Sequence, residues 1–382
     1  MKELKEYRCD FLNCNQENYL RVIREFIIHE LVPMKGRLVK VTCLVDTKPF
    51  ENYSKTTEEI RALFRLLFNE RMPALTFVAQ APLNAAVGIE TICFNDPGVL
   101  AFETWEDIQY VKVDAPNAEL LYIGGIVDPR LPDAKSQAMF AFEKMDALLK
   151  KEGFEWNQVV RQWNYIEAIT EMEDGRQRYQ IFNDVRAKYY ETSQWERGYP
   201  AATGIGMEKG GIVIDAIAVK SWSNNGPLDY PLANPLQVDA HQYSQQVLEG
   251  STDQDFGNRQ TPKFERAKAL KTGRWSEIFV SGTAAIVGEN TVPSDQPGEQ
   301  TNVTIKNIRA LISPENMNAS GVAVNENGKI KQLRVYVKHP QDFDIIRTEV
   351  DKAFPDAKQS YVLADVCREE LLVEIEAMAD FT

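Results

Sequence analysis

The sequence predicts an α+β fold in which three related units follow one another in a single chain. Three observations carry this. A strand, helix, strand, strand order occurs near both ends and again in the middle. Two helices align without a gap. The closing strands of all three copies look alike.

The C-terminal copy shows the order most plainly, running IKQLRVYVKHPQDFDIIRTEVDKAF, a turn with Pro355, then QSYVLADVCREELLVEIEA. Short runs rich in Val, Ile and Leu read as strands, and the amphipathic segment between them as a helix. Near the N-terminus, RLVKVTCLVD, a helix in KTTEEIRALFRLLF, ALTFVAQ and VGIET repeat that order, and Val87–Thr91 matches Val373–Ala377. The middle copy opens on a strand ending in YIGG at Gly125, as the third opens on FVSG at Gly282. The following helices, QAMFAFEKMDALLKK from Gln137 and QTNVTIKNIRALIS from Gln300, pair Ala147 with Ala310. Phe140, Met145, Leu148 and Leu149 mark the apolar face of the first. VVRQWNYIEAI, a helix in RYQIFNDVRAKYY, and PAATGIGMEKGGIVIDAIAV complete the middle copy.

The predicted organisation is a partial unit over residues 1–115, lacking the opening hairpin, a second unit over 116–220 and a third over 276–382. A loop-rich insertion, residues 221–275, is heavy in Asn, Gly, Pro, Gln and Asp and separates the last two.

Composition narrows the function classes. The 382 residues are 44% hydrophobic, and 43 Lys and Arg against 56 Asp and Glu leave a net charge of −13. Such an acidic chain is a poor partner for nucleic acid, which is held by clustered cations. No run approaches the ~20 apolar residues of a membrane helix, and MKELKEYRCDF has no apolar core of a secretory signal. A cytoplasmic location and a small anionic metabolite as partner are expected, with no membrane partner; a monomer and a homo-oligomer both remain open. Five scattered cysteines and three isolated histidines form no zinc spacing, and GxGxxG, P-loop and GxSxG motifs are lacking.

One unit, from the strand ending in SG to the VEIEA strand, resembles the Rid/YjgF (chorismate mutase-like) family of reactive-intermediate deaminases, which form trimers with ligand sites between subunits. Three units in one chain then resemble an intramolecular pseudo-trimer. From Leu120 onward, RQWNY, RYQIFNDVR, YPAATGIG, NPLQV, TPKFERA, VSGTAAIVG, EQTNVTIKNI and VCREELLVEIEA occur in an order similar to the chorismatase branch. That resemblance implies release of pyruvate from chorismate, with either 3-hydroxybenzoate or a dihydroxycyclohexadiene carboxylate as co-product, and no cofactor. The chain departs from the pattern at Glu289, where the family commonly has His, and at Leu236, where it tends to have Arg. The cleft-strand Arg of simple Rid deaminases is replaced by Ala74-Leu75, Ala201-Ala202 and Asp356-Ala357. A Rid-type deaminase acting on another small metabolite and a non-catalytic binding protein are the alternatives.

Glu374 is the first candidate for catalysis. The copies place Gly88, Val213 and Glu374 at one position, so one unit carries an acid there, whereas Glu90, Asp215 and Glu376 recur two residues on as shared architecture. Residues 374 and 376 face the same side of a strand, and paired carboxylates raise one pKa. A protonated Glu374 suits protonation of an enol ether at carbon.

The resemblance places Cys367 in the same pocket, and with Gly282 it matches the branch making 3-hydroxybenzoate; a packing role fits Cys367 equally well. Arg161 is the first choice for the substrate's carboxylates, alternating with Trp163 and Tyr165 on one strand face. Arg186 and Arg266 are second choices by resemblance. Tyr179 and Thr203 are candidate hydrogen-bond donors, and Gly282 gives the backbone close access to a ligand.

Overall fold

A computed structural model describes residues 5–95, 99–115, 117–221, 229–248, 250–253, 256–272 and 275–382. Three sheets, each backed by helices, surround a common core.

The first unit holds β1 (Lys5–Leu12), α1 (Tyr19–Phe26), β2 (Leu38–Val45), α2 (Tyr53–Phe68), β3 (Ala74–Val78) and β4 (Val87–Phe94), in sheet order β1-β4-β2-β3. The second holds β5 (Val99–Trp105), β6 (Ile108–Ala115), β7 (Ala118–Ile126), α3 (Ala134–Lys151), β8 (Val159–Glu167), α4 (Arg178–Tyr190), β9 (Ala201–Met207) and β10 (Ile212–Ser221), in order β9-β8-β10-β7-β6-β5. The third holds β11 (Asp229–Leu232), β12 (Ala267–Lys271), β13 (Ser276–Ala284), α5 (Pro297–Leu311), β14 (Lys329–Val337), α6 (Phe343–Ala353), β15 (Lys358–Leu363) and β16 (Val373–Asp380), in order β15-β14-β16-β13-β12-β11.

The same pairing recurs in each sheet. β2 and β3, β8 and β9, and β14 and β15 run parallel across their helices, and β4, β10 and β16 return antiparallel beside them. Side chains confirm the helix alignment. Gln137 donates to the carbonyl of Leu131 at 2.9 Å, and Gln300, at the same helical position, to that of Ser294 at 2.7 Å. Side-chain caps start two of these helices, with Asn52 and Asp133 accepting the amides of Lys55 and Ser136.

The sheet pairing redraws the expected boundaries. β5 and β6 precede residue 116 yet pair with β7 in the second sheet, because a hairpin's hydrogen bonds go to the strand it can reach. The first sheet has β1 alone in the place that a hairpin extends in the other two. Within the insertion, β11 and β12 bond to β13 as edge strands of the third sheet, so it is not loop throughout. Residues 222–228 of the insertion lie outside the described residues.

Each unit's helices cover one face of its sheet with an apolar cluster of its own. The other faces converge on a shared cluster that includes Val160, Trp163, Phe279 and Tyr336. At about 1.5–3 kcal/mol per buried large apolar side chain, this shared core binds the units to one another. Around it, β3 packs on β7, β9 on β13 and β15 on β1, so each unit's parallel edge meets the next unit's opening strand in a closed ring.

Three ion pairs cross those interfaces in the same sense. Lys40 of the first unit pairs with Asp215 of the second at 2.5 Å, and Arg161 of the second with Glu376 of the third at 2.7 Å. Arg334 of the third pairs with Glu90 of the first, its Nε 3.0 Å from Oε1. Thr76, Thr203 and Ser360, aligned hydroxyls on β3, β9 and β15, donate to the same three acids. The acid present in every copy is therefore interface architecture, as the repeat indicates.

Candidate functional site

A pocket opens between the second and third units, with about 750 Å³ of space counted out to its solvent-filled mouth. Its far wall is β16, where Glu374 sits between Ala284 of β13 and Tyr336 of β14. The register of β13 slips between Val280 and Thr283, a bulge that leaves Gly282 facing the cleft. A β-carbon on Gly282 would collide with the Glu374 carboxyl and come within 3.0 Å of Thr203 Cγ2.

Glu374 is 5% exposed, and no hydrogen bond reaches its carboxyl among the described residues. Burial, and then the neighbouring Glu376 charge, raise its pKa to about 8 against the pull of Arg161 and Arg266. It therefore stands at neutral pH as a carboxylic acid carrying a proton. Glu376 behaves oppositely: burial opposes its charge, but Arg334 and Arg161 outweigh that and hold its pKa below the usual carboxylate range. Two carboxyls on one strand face thus occupy different protonation states, and desolvation contributes more to the split than their mutual repulsion.

The expected site residues fall into two groups. Glu374, Cys367, Tyr179, Arg266 and Gly282 line the pocket. Tyr179 lies on Gly204, whose added β-carbon would come 2.7 Å from the ring. Arg266 donates from Nη2 to the Val238 carbonyl and to the Tyr243 hydroxyl at 2.7 Å, while its buried Nε has no protein partner. The Cys367 thiol is pushed up to about 12 by burial and by Glu374, so it is not a thiolate nucleophile.

Arg161, Trp163, Tyr165 and Thr203 lie beneath the pocket. The alternation on one face of β8 is as expected, but the face points into the shared core. Arg161, 1% exposed, is held by Glu376 and Thr203 at 2.7 Å each and lies 4.4 Å from the Trp163 ring centre. Trp163 donates its indole N–H to Glu376 at 2.9 Å, and Tyr165 accepts from Arg334 at 2.7 Å. Arg161 is thus paired with protein carboxylate. Its Nη1 alone lacks a partner. Thr203 joins the layers by accepting the Gly282 amide at 3.0 Å. Arg186 is buried behind the pocket wall, bonded to the lining residue Asn183 at 2.6 Å, with Nε unpartnered.

Tyr243, Asn183, Gly204 and Arg368 are lining residues the sequence reading did not single out. Arg368 directly follows Cys367, and that adjacency was the available signal. Its Nη1 bonds the Glu289 carbonyl at 3.0 Å and Thr291 at 3.2 Å.

The insertion supplies the pocket's roof through Tyr243, Val247 and Leu248. Glu289 fixes it by accepting the Ser244 amide and hydroxyl at 2.8 Å each, which holds its carboxyl below the usual range. Leu236 works through its backbone, donating to Asn234 at 3.0 Å and accepting from Gly288 at 2.9 Å. Both departures are therefore roof residues here.

A family model described as "Chorismatase FkbO/Hyg5-like, N-terminal" matches residues 104–218. A protein of Streptomyces hygroscopicus named 3-hydroxybenzoate synthase is 32% identical over 274 residues, 69% of this chain and 75% of that protein. A protein of Streptomyces rapamycinicus named chorismatase is 31% identical over 226 residues, 58% of this chain and 63% of that one. The crystal structure of a chorismatase superposes with a TM-score of 0.72 at 20% identity, over 99% of this chain and all of that one, a likeness of fold.

Proposed function

The chain belongs to the chorismatase family, and on that premise we propose that it cleaves the enol ether of chorismate, with Glu374 as the acid that protonates carbon. The observation that carries the reading is the state of that carboxyl: buried, unpartnered and protonated at neutral pH, on the wall of a pocket between two units. Enol ethers are cleaved through protonation of the terminal methylene carbon, which needs an acid held in place and shielded from water.

The chemistry then runs in balanced steps. Glu374 gives its proton to the methylene carbon, the π electrons form the new C–H bond, and positive charge settles on the ether carbon and oxygen. The Glu374 carboxylate left behind faces that oxocarbenium ion and stabilises it. Water adds to the cation and loses a proton, and the hemiketal collapses to pyruvate and a ring alcohol, which gives the dihydroxycyclohexadiene carboxylate. In the other branch the neighbouring ring hydroxyl adds to the cation in place of water and returns its proton to Glu374. The bond between the ring and that oxygen then breaks, the ring loses a C–H proton to become aromatic, and the hemiketal left behind collapses to pyruvate and 3-hydroxybenzoate. There 3-hydroxybenzoate and pyruvate together contain the atoms of chorismate, so no net water is consumed.

Gly282 and Cys367 favour the 3-hydroxybenzoate branch by their resemblance to that subgroup, and the S. hygroscopicus relative bears that name. Arg266 is the substrate-binding arginine we favour, because its unpartnered Nε lies at the pocket wall; Arg368 offers a second guanidinium there. Tyr179 positions the ring. Arg161 and Thr203 hold Glu376, and through it the charge beside Glu374. Pyruvate release from chorismate, with the ring product resolved by chromatography, tests the assignment. Pyruvate with 3-hydroxybenzoate is expected; a diol overturns the branch alone, and absence of pyruvate overturns the reaction.

A further inference from the structure

The three unit interfaces follow one plan, so the sheet residues around the acid pocket have counterparts in the other two clefts. In the cleft between the first and second units, Gly125 stands for Gly282, Val213 for Glu374 and Phe77 for Gly204. The registers fix these pairs: Thr76 lies opposite Thr42 on β2 as Thr203 lies opposite Trp163 on β8, and β7 is bulged at Gly125 as β13 is at Gly282.

This second cleft is open. Two hollows of about 680 and 1080 Å³ share Arg61, Gly125 and Val127 among their walls. The floor is apolar and close, since a β-carbon on Gly125 would meet Val213 and Thr76 at 3.1 Å. Arg61 sits on α2, eight residues after its start, as Arg186 does on α4. Its guanidinium lies 4.9 Å from the Phe77 ring centre and donates from Nη1 to Gln109 at 3.0 Å. Glu58, 3.5 Å from Arg61, is also bonded to Arg65 at 2.8 Å, and at the rim Arg130 pairs with Asp128 and Lys144 with Glu106. Asp107 adds one more rim acid. The third cleft differs, because Phe11, Leu44 and Pro82 occupy the space over Gly88.

We propose that the cleft at Arg61 and Val213 is a second, non-catalytic binding site for a ring-bearing monocarboxylate. One guanidinium above an aromatic and aliphatic floor suits a planar ring with a single carboxylate. Val213 has no proton to give, so the ligand leaves unchanged. The inference stands on the geometry of this cleft and does not require the chorismate reaction.

Isothermal titration of the whole chain with 3-hydroxybenzoate tests it, with benzoate as a second probe. Wild type is expected to bind two molecules, each with a Kd of about 1 mM or tighter. Arg61→Gln loses one of them and keeps chorismate turnover within about twofold, a difference too small to reflect a catalytic contact. Arg266→Gln loses the other. Val127→Trp, at the partly exposed rim, blocks the cleft without removing a charge and is expected to act as Arg61→Gln does. Binding that neither Arg61→Gln nor Val127→Trp reduces overturns the proposal, as does a wild-type chain that binds no molecule. Two molecules bound by a chain that leaves chorismate intact overturns the enzymatic reading alone.

Discussion

Gly282, in the bulge of β13, lies beside Glu374 of the neighbouring strand, and the carboxyl of one fills the space that a side chain on the other would need. Under the proposed function, the absence of a β-carbon is thus part of the geometry that places the acid. Gly282→Ala is expected to displace the carboxyl and lower kcat by about 100-fold, the cost of roughly an ångström of misplacement. The melting temperature should stay near wild type, because the displaced group opens onto the pocket. Pyruvate release and thermal melting check this together; unchanged kcat would show that the carboxyl acts from another position.

Glu374→Gln removes the proton donor while keeping shape. Turnover should fall by about 10²–10⁴-fold, the usual weight of a positioned acid. Binding of 3-hydroxybenzoate in the pocket should persist. Wild-type turnover would refute carbon protonation by this residue.

The raised pKa has a definite sign in both activity and stability. With Glu374 as the proposed acid, kcat/KM should decline above pH 8, with the slope of one lost proton. In the unfolded chain the same carboxyl ionises near the ordinary value. The folded state therefore binds more protons between about pH 4.5 and pH 8, and loses stability as pH rises through that window. The loss reaches about 4 kcal/mol as an upper figure, and Glu374→Gln should abolish it. Urea denaturation of both proteins at pH 5 and pH 8.5 measures the difference; parallel behaviour would place the ionisation elsewhere.

The buried Arg161 and Glu376 pair predicts a further asymmetry. Arg161→Leu leaves the buried Glu376 carboxylate with Arg334, 3.3 Å away, as its remaining cation and should destabilise the chain by about 3 kcal/mol, whereas the double variant Arg161→Leu/Glu376→Leu should recover much of that. Denaturant midpoints of the two singles and the double give the coupling. If Arg161→Leu leaves stability intact and raises KM instead, Arg161 holds substrate after all.

Cys367 should behave as a pocket-shaping thiol. With its pKa near 12, about one molecule in ten thousand carries a thiolate at pH 8, so iodoacetamide should label it far more slowly than an exposed cysteine. Cys367→Ala should keep pyruvate release within about tenfold, a packing-sized effect. Loss of all turnover would restore a chemical role.

The repeat made most of the fold legible in the sequence, because strand period and helix register survive in side chains that face the cores. The singular acid was legible for the same reason: Val213 and Gly88 stand where Glu374 does. What sequence could not supply was orientation across the ring of units. Arg161 sits on the predicted strand face, yet its partner Glu376 is 215 positions away and belongs to the next unit. Nothing in RQWNY announces that pairing. The roof was hidden similarly, since Glu289 and Ser244 meet only after the insertion folds back over β13, and a hydrogen bond between two loops leaves no periodic trace.

The three inter-unit ion pairs carry a consequence for how this site arose. In a trimer of identical subunits, any substitution is made three times, and an acid set beside each interface carboxylate would bury three further carboxyls without partners in one interior. With the three copies joined end to end, Glu374 arises once. The other two interfaces keep Val213 and Gly88, so their Asp215 and Glu90 keep a single cation each without a competing acid. Within one chain the three interfaces are free to differ: one carries the proposed acid, one is closed by Phe11, Leu44 and Pro82, and one is hollow.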